Sequence, residues 1–135
     1  THNCCRTLVP HDRQFTAEQI IAIAQRGGVI GVAFDDWMLS PNFDKNHPDN
    51  SHVTLATVCD HIDHICQKTG SVSHAAIGTD LDGGYGREQS PSDLDTIADL
   101  QNIPPILTSR GYSADDINSI MHGNWIGLLL RVWDH

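Results

Sequence analysis

A chain of 135 residues, 39% of them hydrophobic, is long enough for one globular unit with a true core. Eight basic residues against 17 acidic ones leave a net charge of −9, which repels phosphate backbones and argues against nucleic acid as a partner. No stretch nears the roughly 18 consecutive apolar residues of a membrane span, and the first residues lack the basic-then-apolar pattern of a signal peptide.

The chain opens on a polar, cysteine-bearing stretch, THNCCRTLVPHDRQ, and a strand ending near His2 is the one regular element it could hold. Residues 16–26, TAEQIIAIAQR, predict a helix: Thr16 with Gln19 forms a capping box, and Ile20, Ile21, Ile23 and Ala24 form its apolar stripe. Gly27 and Gly28 end it. The run VIGVAF, 29–34, has strand length and no polar face, as in a parallel sheet covered on both sides. Residues 35–50 carry Pro41, Pro48 and three asparagines and predict a loop. Residues 51–68 predict a long helix with Val58, Ile62 and Ile65 inward, closed by Gly70. HAAIGTD, 74–80, is a second short buried strand. Helices are then expected near 92–102, 104–110 and 114–121, the last capped by Ser113 and Asp116, followed by an amphipathic segment NWIGLLLRVW.

Strands alternating with helices indicate an α/β fold with parallel strands. Two or three strands make a poor sheet alone, whereas a (β/α)8 TIM barrel needs eight strands and about 250 residues. The chain therefore reads as the C-terminal part of something larger, holding about its last three strands and their helices.

Nine histidines raise the prospect of a metal. The stretch CDHIDHIC, 59–66, places Asp60 and His64 four apart and His61 and His64 three apart on one helix face, which could hold an ion. Ile62 and Ile65 must face the core, however, and mid-helix residues lie far from the strand ends where α/β sites gather. A structural role is the better reading. Cys4, Cys5, Cys59 and Cys66 contain no CxxC pair, so they read as buried or free thiols of a reducing, cytoplasmic setting rather than a zinc knot. His2, with Arg13 on the following loop, is more suitable equipment: an imidazole for a metal and a guanidinium for a two-pronged grip on a carboxylate.

The loop TDLDGG lacks the third acidic residue of a calcium loop and the Lys and Ser of a phosphate loop. A carboxylate ending a buried strand is costly unless paired or functional, so Asp80 is read as functional and Asp82 as shaping the turn.

Taken together, TH, HDR, FTAEQIIAIAQRGGVIGVAF, DHIDHI, IGTDLDGG and RGYSADDINSIMHGNWIGLLLRV resemble the membrane (renal) dipeptidase family, in order and spacing along essentially the whole chain. The match is to the family's C-terminal portion. The resemblance implies a zinc-dependent dipeptidase on a (β/α)8 barrel of the amidohydrolase type, with two zinc ions bridged by a carboxylate. It implies that His2 is a metal ligand ending the sixth strand, that Arg13, eleven residues later, binds the substrate carboxylate, and that Asp80, ending the eighth strand, contacts the substrate amino group. The two ions would supply hydroxide at neutral pH and polarise the peptide carbonyl.

Departures from the family pattern bear on substrate preference more than reaction class: Thr1 stands for Ser, Gln14 for Asn, and Ala33 for the Asn of GVNF. The other metal ligands that the resemblance implies, an HxD pair, a bridging Glu and another His, would lie upstream of residue 1. This piece alone is accordingly expected to be inactive. It should expose strand edges and apolar faces, and associate with itself or with an upstream half. The competing expectations are a non-catalytic half-barrel used for binding or oligomerisation, and another amidohydrolase-type hydrolysis.

Overall fold

A computed structural model describes residues 1–133. Strands β1 (Ile30–Val32) and β2 (Ala75–Ile77) pair in parallel, with Ile30 opposite Ala75, Gly31 opposite Ala76 and Val32 opposite Ile77. Val32, Ala33, Phe34, Ala75 and Ala76 are fully buried, which is why both segments read as unbroken apolar runs.

Helix α1 (Ala17–Gln25) starts where the capping box places it: the Thr16 hydroxyl accepts the Gln19 amide at 3.3 Å, and the Gln19 side chain accepts the Thr16 amide at 2.9 Å. A short helix, α2 (Asp36–Leu39), interrupts the segment expected to be loop, closed by the Met38 and Ser40 amides on the Asp35 and Asp36 carbonyls. Helix α3 (Leu55–Thr69) buries Leu55, Val58, Ile62 and Ile65 on one stripe and packs on α1. It begins four residues later than expected, where the Asp93 carboxylate accepts the Leu55 amide at 2.8 Å.

The helix expected over 92–102 is a 3₁₀ segment, Ile97–Asn102, running into α4 (Ile103–Ser109). The Asp99 carboxylate takes the Asp95 and Thr96 amides at 3.0 and 2.7 Å, fixing the helical start at Ile97 and leaving residues 92–95 outside. Pro104 and Pro105 fall in the first turn of α4, where their missing N–H groups are tolerated. Helix α5 (Ala114–Asn118) has the expected Ser113–Asp116 cap, and a π turn, Ser119–Gly123, joins it to α6 (Asn124–Trp133).

Among the described residues, two strands form where about three were expected. Residues 1–5 run beside β1, with the Asn3 amide on the Gly31 carbonyl at 2.9 Å and a single parallel bridge from Cys5 to Phe15. No ladder extends because side chains intercept it: the Cys4 amide is taken by the Asn3 and Gln14 side chains at 2.9 and 3.2 Å. Thr1 instead crosses the sheet so closely that a Cβ at Gly78 would lie 2.1 Å from its carbonyl oxygen.

The outer edge of β2, expected to lie open, is covered. Asn124 donates to the Val72 and Ala75 carbonyls and Trp125 to the Ile77 carbonyl, each at 2.8 Å. The expected apolar face does appear, on α6, where Ile126, Leu130, Val132 and Trp133 are exposed. No helix among the described residues is long and apolar enough to cross a membrane. All four cysteines are free.

Candidate active site at the strand ends

Both strands run toward the same end of the sheet and deliver acidic residues there. Beyond β2 the chain turns sharply at Asp80, a non-glycine residue with φ of +59°, in the left-handed region that Asp and Asn tolerate better than most. The turn closes with the Gly83 amide on the Asp80 carbonyl at 2.8 Å. A Cβ at Gly83 would lie 2.8 Å from that carbonyl oxygen and 3.0 Å from the Asp80 carboxylate, so glycine lets the backbone hold this carboxylate in place. Asp82 sits inside the turn, and the Tyr85 hydroxyl donates to the Thr79 carbonyl at 3.1 Å.

Beyond β1 stands a carboxylate pair that composition and spacing did not single out. Asp35 accepts the Gln89 side-chain amide at 2.8 Å on one oxygen and the Trp37 indole N–H at 2.5 Å on the other. Asp36 is completely buried, and neither of its oxygens has a hydrogen-bond partner. Burial first, and then the neighbouring Asp35 charge, push its carboxyl up to about 8. The legible signal was DDW at the end of a buried apolar run, the same placement that drew attention to Asp80. The Tyr85 phenol is raised by burial and then by the charges of Asp35, Asp80, Asp36 and Asp82, so four carboxylates from two loops act on one hydroxyl.

Arg13 is exposed, and its backbone is held at both ends: its amide donates to His11 Nδ1 and its carbonyl accepts from the Asn3 side chain, both at 3.1 Å. Beside it Gln14 is buried, accepting the Cys4 amide and donating to the Met38 carbonyl at 2.8 Å, which ties the first segment to α2. Burial dominates the Cys4 thiol and raises it; of the smaller influences, Asp35 raises it and Arg13 lowers it. Asp35 is thus within electrostatic reach of the groups around Arg13 and of those around Asp80. His2 is exposed, with Nδ1 3.1 Å from the Thr1 hydroxyl. It precedes the residue bonded to Gly31, so it lies level with the middle of β1, whereas Asp80 lies beyond the end of β2.

The tempting stretch on α3 is structural. His61 is fully buried, its Nδ1 accepting the Cys5 amide at 3.1 Å and its Nε2 3.2 Å from the Leu39 carbonyl; burial lowers it to about 4, so the ring is neutral. Asp60 and Asp63 face Arg110 at 2.8 and 2.5 Å, and the Tyr112 hydroxyl donates to Asp63 at 2.7 Å.

The family model for membrane dipeptidases, peptidase family M19, matches residues 1–135. The chain belongs to this family of metallopeptidases. Among curated relatives it is 31% identical to a Klebsiella pneumoniae protein encoded in the pqqA 5′ region, over 98% of this chain and 46% of that one. It is 30% identical to an uncharacterized dipeptidase of Schizosaccharomyces pombe, over 98% of this chain and 29% of that one. A metallopeptidase from Rhodobacter sphaeroides, solved with a phosphinate mimic of L-Ala-D-Ala, superposes with a TM-score of 0.83 at 25% identity, covering 98% of this chain and 35% of that one. An amidohydrolase from Pseudomonas aeruginosa superposes at 0.82 and 22% identity, over 99% and 45%, which speaks for the fold alone. The chain spans less than half the length of these relatives.

A metallopeptidase implies a metal, generally zinc, and the side chains here can be tested for it. Imidazole suits zinc, and His2 offers one. Among the described residues, no group of three or more His, Cys, Asp or Glu side chains is placed to hold an ion.

Proposed function

We propose that this chain is the C-terminal part of a (β/α)8 dipeptidase barrel and supplies the residues that grip the two charged ends of a dipeptide. Arg13 holds the C-terminal carboxylate by paired N–H donors, and Asp80 accepts hydrogen bonds from the N-terminal ammonium. Two fixed charges at opposite ends favour substrates two residues long, because a longer peptide would set an uncharged continuation against one of them. His2 contributes one ligand to a binuclear zinc centre whose other ligands come from outside these residues. When bound, zinc supplies a deprotonated water and polarises the scissile carbonyl. The observation that carries this reading is Asp80: a carboxylate beyond a buried strand, held in a left-handed turn that Gly83 makes possible.

Two measurements test it. The chain alone, given zinc, should show no hydrolysis of L-Ala-D-Ala; stoichiometric zinc with turnover would overturn the claim that the site is incomplete. Joined to a complementary segment bearing the remaining ligands, it should hydrolyse dipeptides, with Arg13→Gln and Asp80→Asn each lowering kcat/KM by about a hundredfold or more. Lactone turnover without peptide turnover would defeat the substrate assignment. The exposed face of α6 favours a second reading, a non-catalytic half-barrel that associates through that face. A folded, metal-free dimer that stays inactive after complementation would select it.

A further inference from the structure

The side chain that reaches the base of the Asp80 turn is Tyr85. Its hydroxyl donates to the Thr79 carbonyl at 3.1 Å, and the same oxygen accepts the Phe34 amide at 3.0 Å. Cross-strand bonding thus continues past the end of β2 at Ile77, and the Thr79 carbonyl is tied to the sheet just before the chain turns. The peptide group that holds this carbonyl is planar and ends on the Asp80 nitrogen. Two donors on its oxygen therefore fix the plane from which Asp80 departs at φ of +59°. The choice of a phenol for this tether is chemically apt. The charges of Asp35, Asp80, Asp36 and Asp82 all act on it, and a lysine or arginine in its place would pair with them and neutralise the carboxylate that has to stay free. Burial, and then those charges, hold the phenol above its ordinary range, so the proton that makes the bond stays on the oxygen.

We infer that Tyr85 is a positioning residue: its hydroxyl holds the peptide between Thr79 and Asp80 so that the Asp80 carboxylate meets the substrate's ammonium. The inference rests on the Asp80 assignment above. The ring lines a recess with Leu81 and Leu94, so deleting the hydroxyl alone removes the tether and leaves the ring in place.

The test uses the full chain, Tyr85→Phe and NMR, and needs no metal. Its first readout is free of ligand. The Gly83 amide, which closes the turn on the Asp80 carbonyl, should exchange with solvent at least about threefold faster in the variant, while the amides of Val58 and Ile62 in the core of α3 keep their rates. An unchanged Gly83 rate, or a rise that Val58 and Ile62 share, overturns the positioning role. The second readout is binding. L-alaninamide, which has an ammonium and no carboxylate, should bind the variant about threefold to tenfold more weakly than the parent, whereas N-acetyl-alanine, with a carboxylate and no ammonium, should bind both alike. Equal weakening of the two probes also overturns the role. The Asp80 assignment is read separately, since Asp80→Asn should abolish alaninamide binding. If it does so while Tyr85→Phe binds as the parent does, the grip stands and the tether falls. Alaninamide that binds parent and Asp80→Asn alike, or neither, removes the Asp80 assignment and this inference with it.

Discussion

Among single residues, Asp36 is the one whose chemistry and surroundings conflict most: a carboxyl with no exposed surface and no partner for either oxygen. In the fold it titrates at about 8, against 3.8 for an ordinary aspartate. The folded chain therefore keeps a proton that the unfolded chain releases, so stability declines as pH rises from about 4 to about 8. His61 works in the opposite sense. Its folded value near 4, against 6.5, means that the unfolded chain protonates first, and stability declines as pH falls from about 6.5 to about 4. Of the two, only Asp36 acts between pH 6.5 and 8. Denaturant midpoints should fall over that interval, and Asp36→Asn should remove most of the fall. At pH 8 the variant should be the more stable by on the order of 1–3 kcal/mol, with the gap narrowing toward pH 5. Identical profiles for the two proteins would show that Asp36 is not the buried, unpaired group described.

At the scale of elements, α3 carries two unrelated polar jobs on one helix. His61 ties it to the first segment and to α2, whereas Asp60 and Asp63 receive Arg110, which also donates to the Ala56 carbonyl at 2.9 Å and so fastens the end of α4. Arg110 and Asp63 are each about a quarter exposed, at 24% and 25%, so removing one leaves a partly buried charge behind. Arg110→Ala should cost about 1–3 kcal/mol in chemical denaturation, and Arg110→Lys should recover only part of it, because one ammonium cannot reach both carboxylates and the carbonyl. A loss of less than about 0.5 kcal/mol would reduce the network to a surface ion pair. Elements were legible in the sequence wherever the signal was local. Thr16 with Gln19 and Ser113 with Asp116 mark helix starts because the cap is made within one turn. The start of the 3₁₀ segment is likewise a local Thr96–Asp99 box, legible in principle but passed over. The start of α3 draws on Asp93, 38 residues away, reaching the Leu55 amide, which no periodicity records. The third strand failed for the same kind of reason: Gln14, read only as a departure from a family pattern, intercepts the Cys4 amide. The placement of Asp80 beyond the end of β2 was legible from its position after a buried run. Asp35, Asp36 and Trp37 stand after the other buried run, but their importance arises from Gln89, from burial and from the ring of His11, all of them tertiary facts.

For the molecule as a whole, the question is what covers α6. Its first turn is committed, with Asn124 and Trp125 closing the edge of β2, while Ile126, Leu130, Val132 and Trp133 face outward at 52% to 74% exposure. Apolar residues scattered singly over a surface need no explanation, but the exposed Ile126, Leu129, Leu130 and Trp133 recur at helical spacing on one side of α6, beside a sheet of two short strands, and offer a surface of the kind that associates. The proposed partner is a complementary barrel segment, with a second copy of the chain as the substitute when that segment is absent. Sedimentation velocity on the isolated chain should therefore show concentration-dependent association. Ile126→Lys together with Leu130→Lys should shift it toward monomer without lowering the unfolding midpoint, because neither side chain is buried. The same pair of substitutions should block recovery of activity on complementation. A wild-type chain that stays monomeric at high concentration, and variants that complement as well as the parent, would mean that α6 is not the association surface and that the proposed barrel, if formed, closes elsewhere.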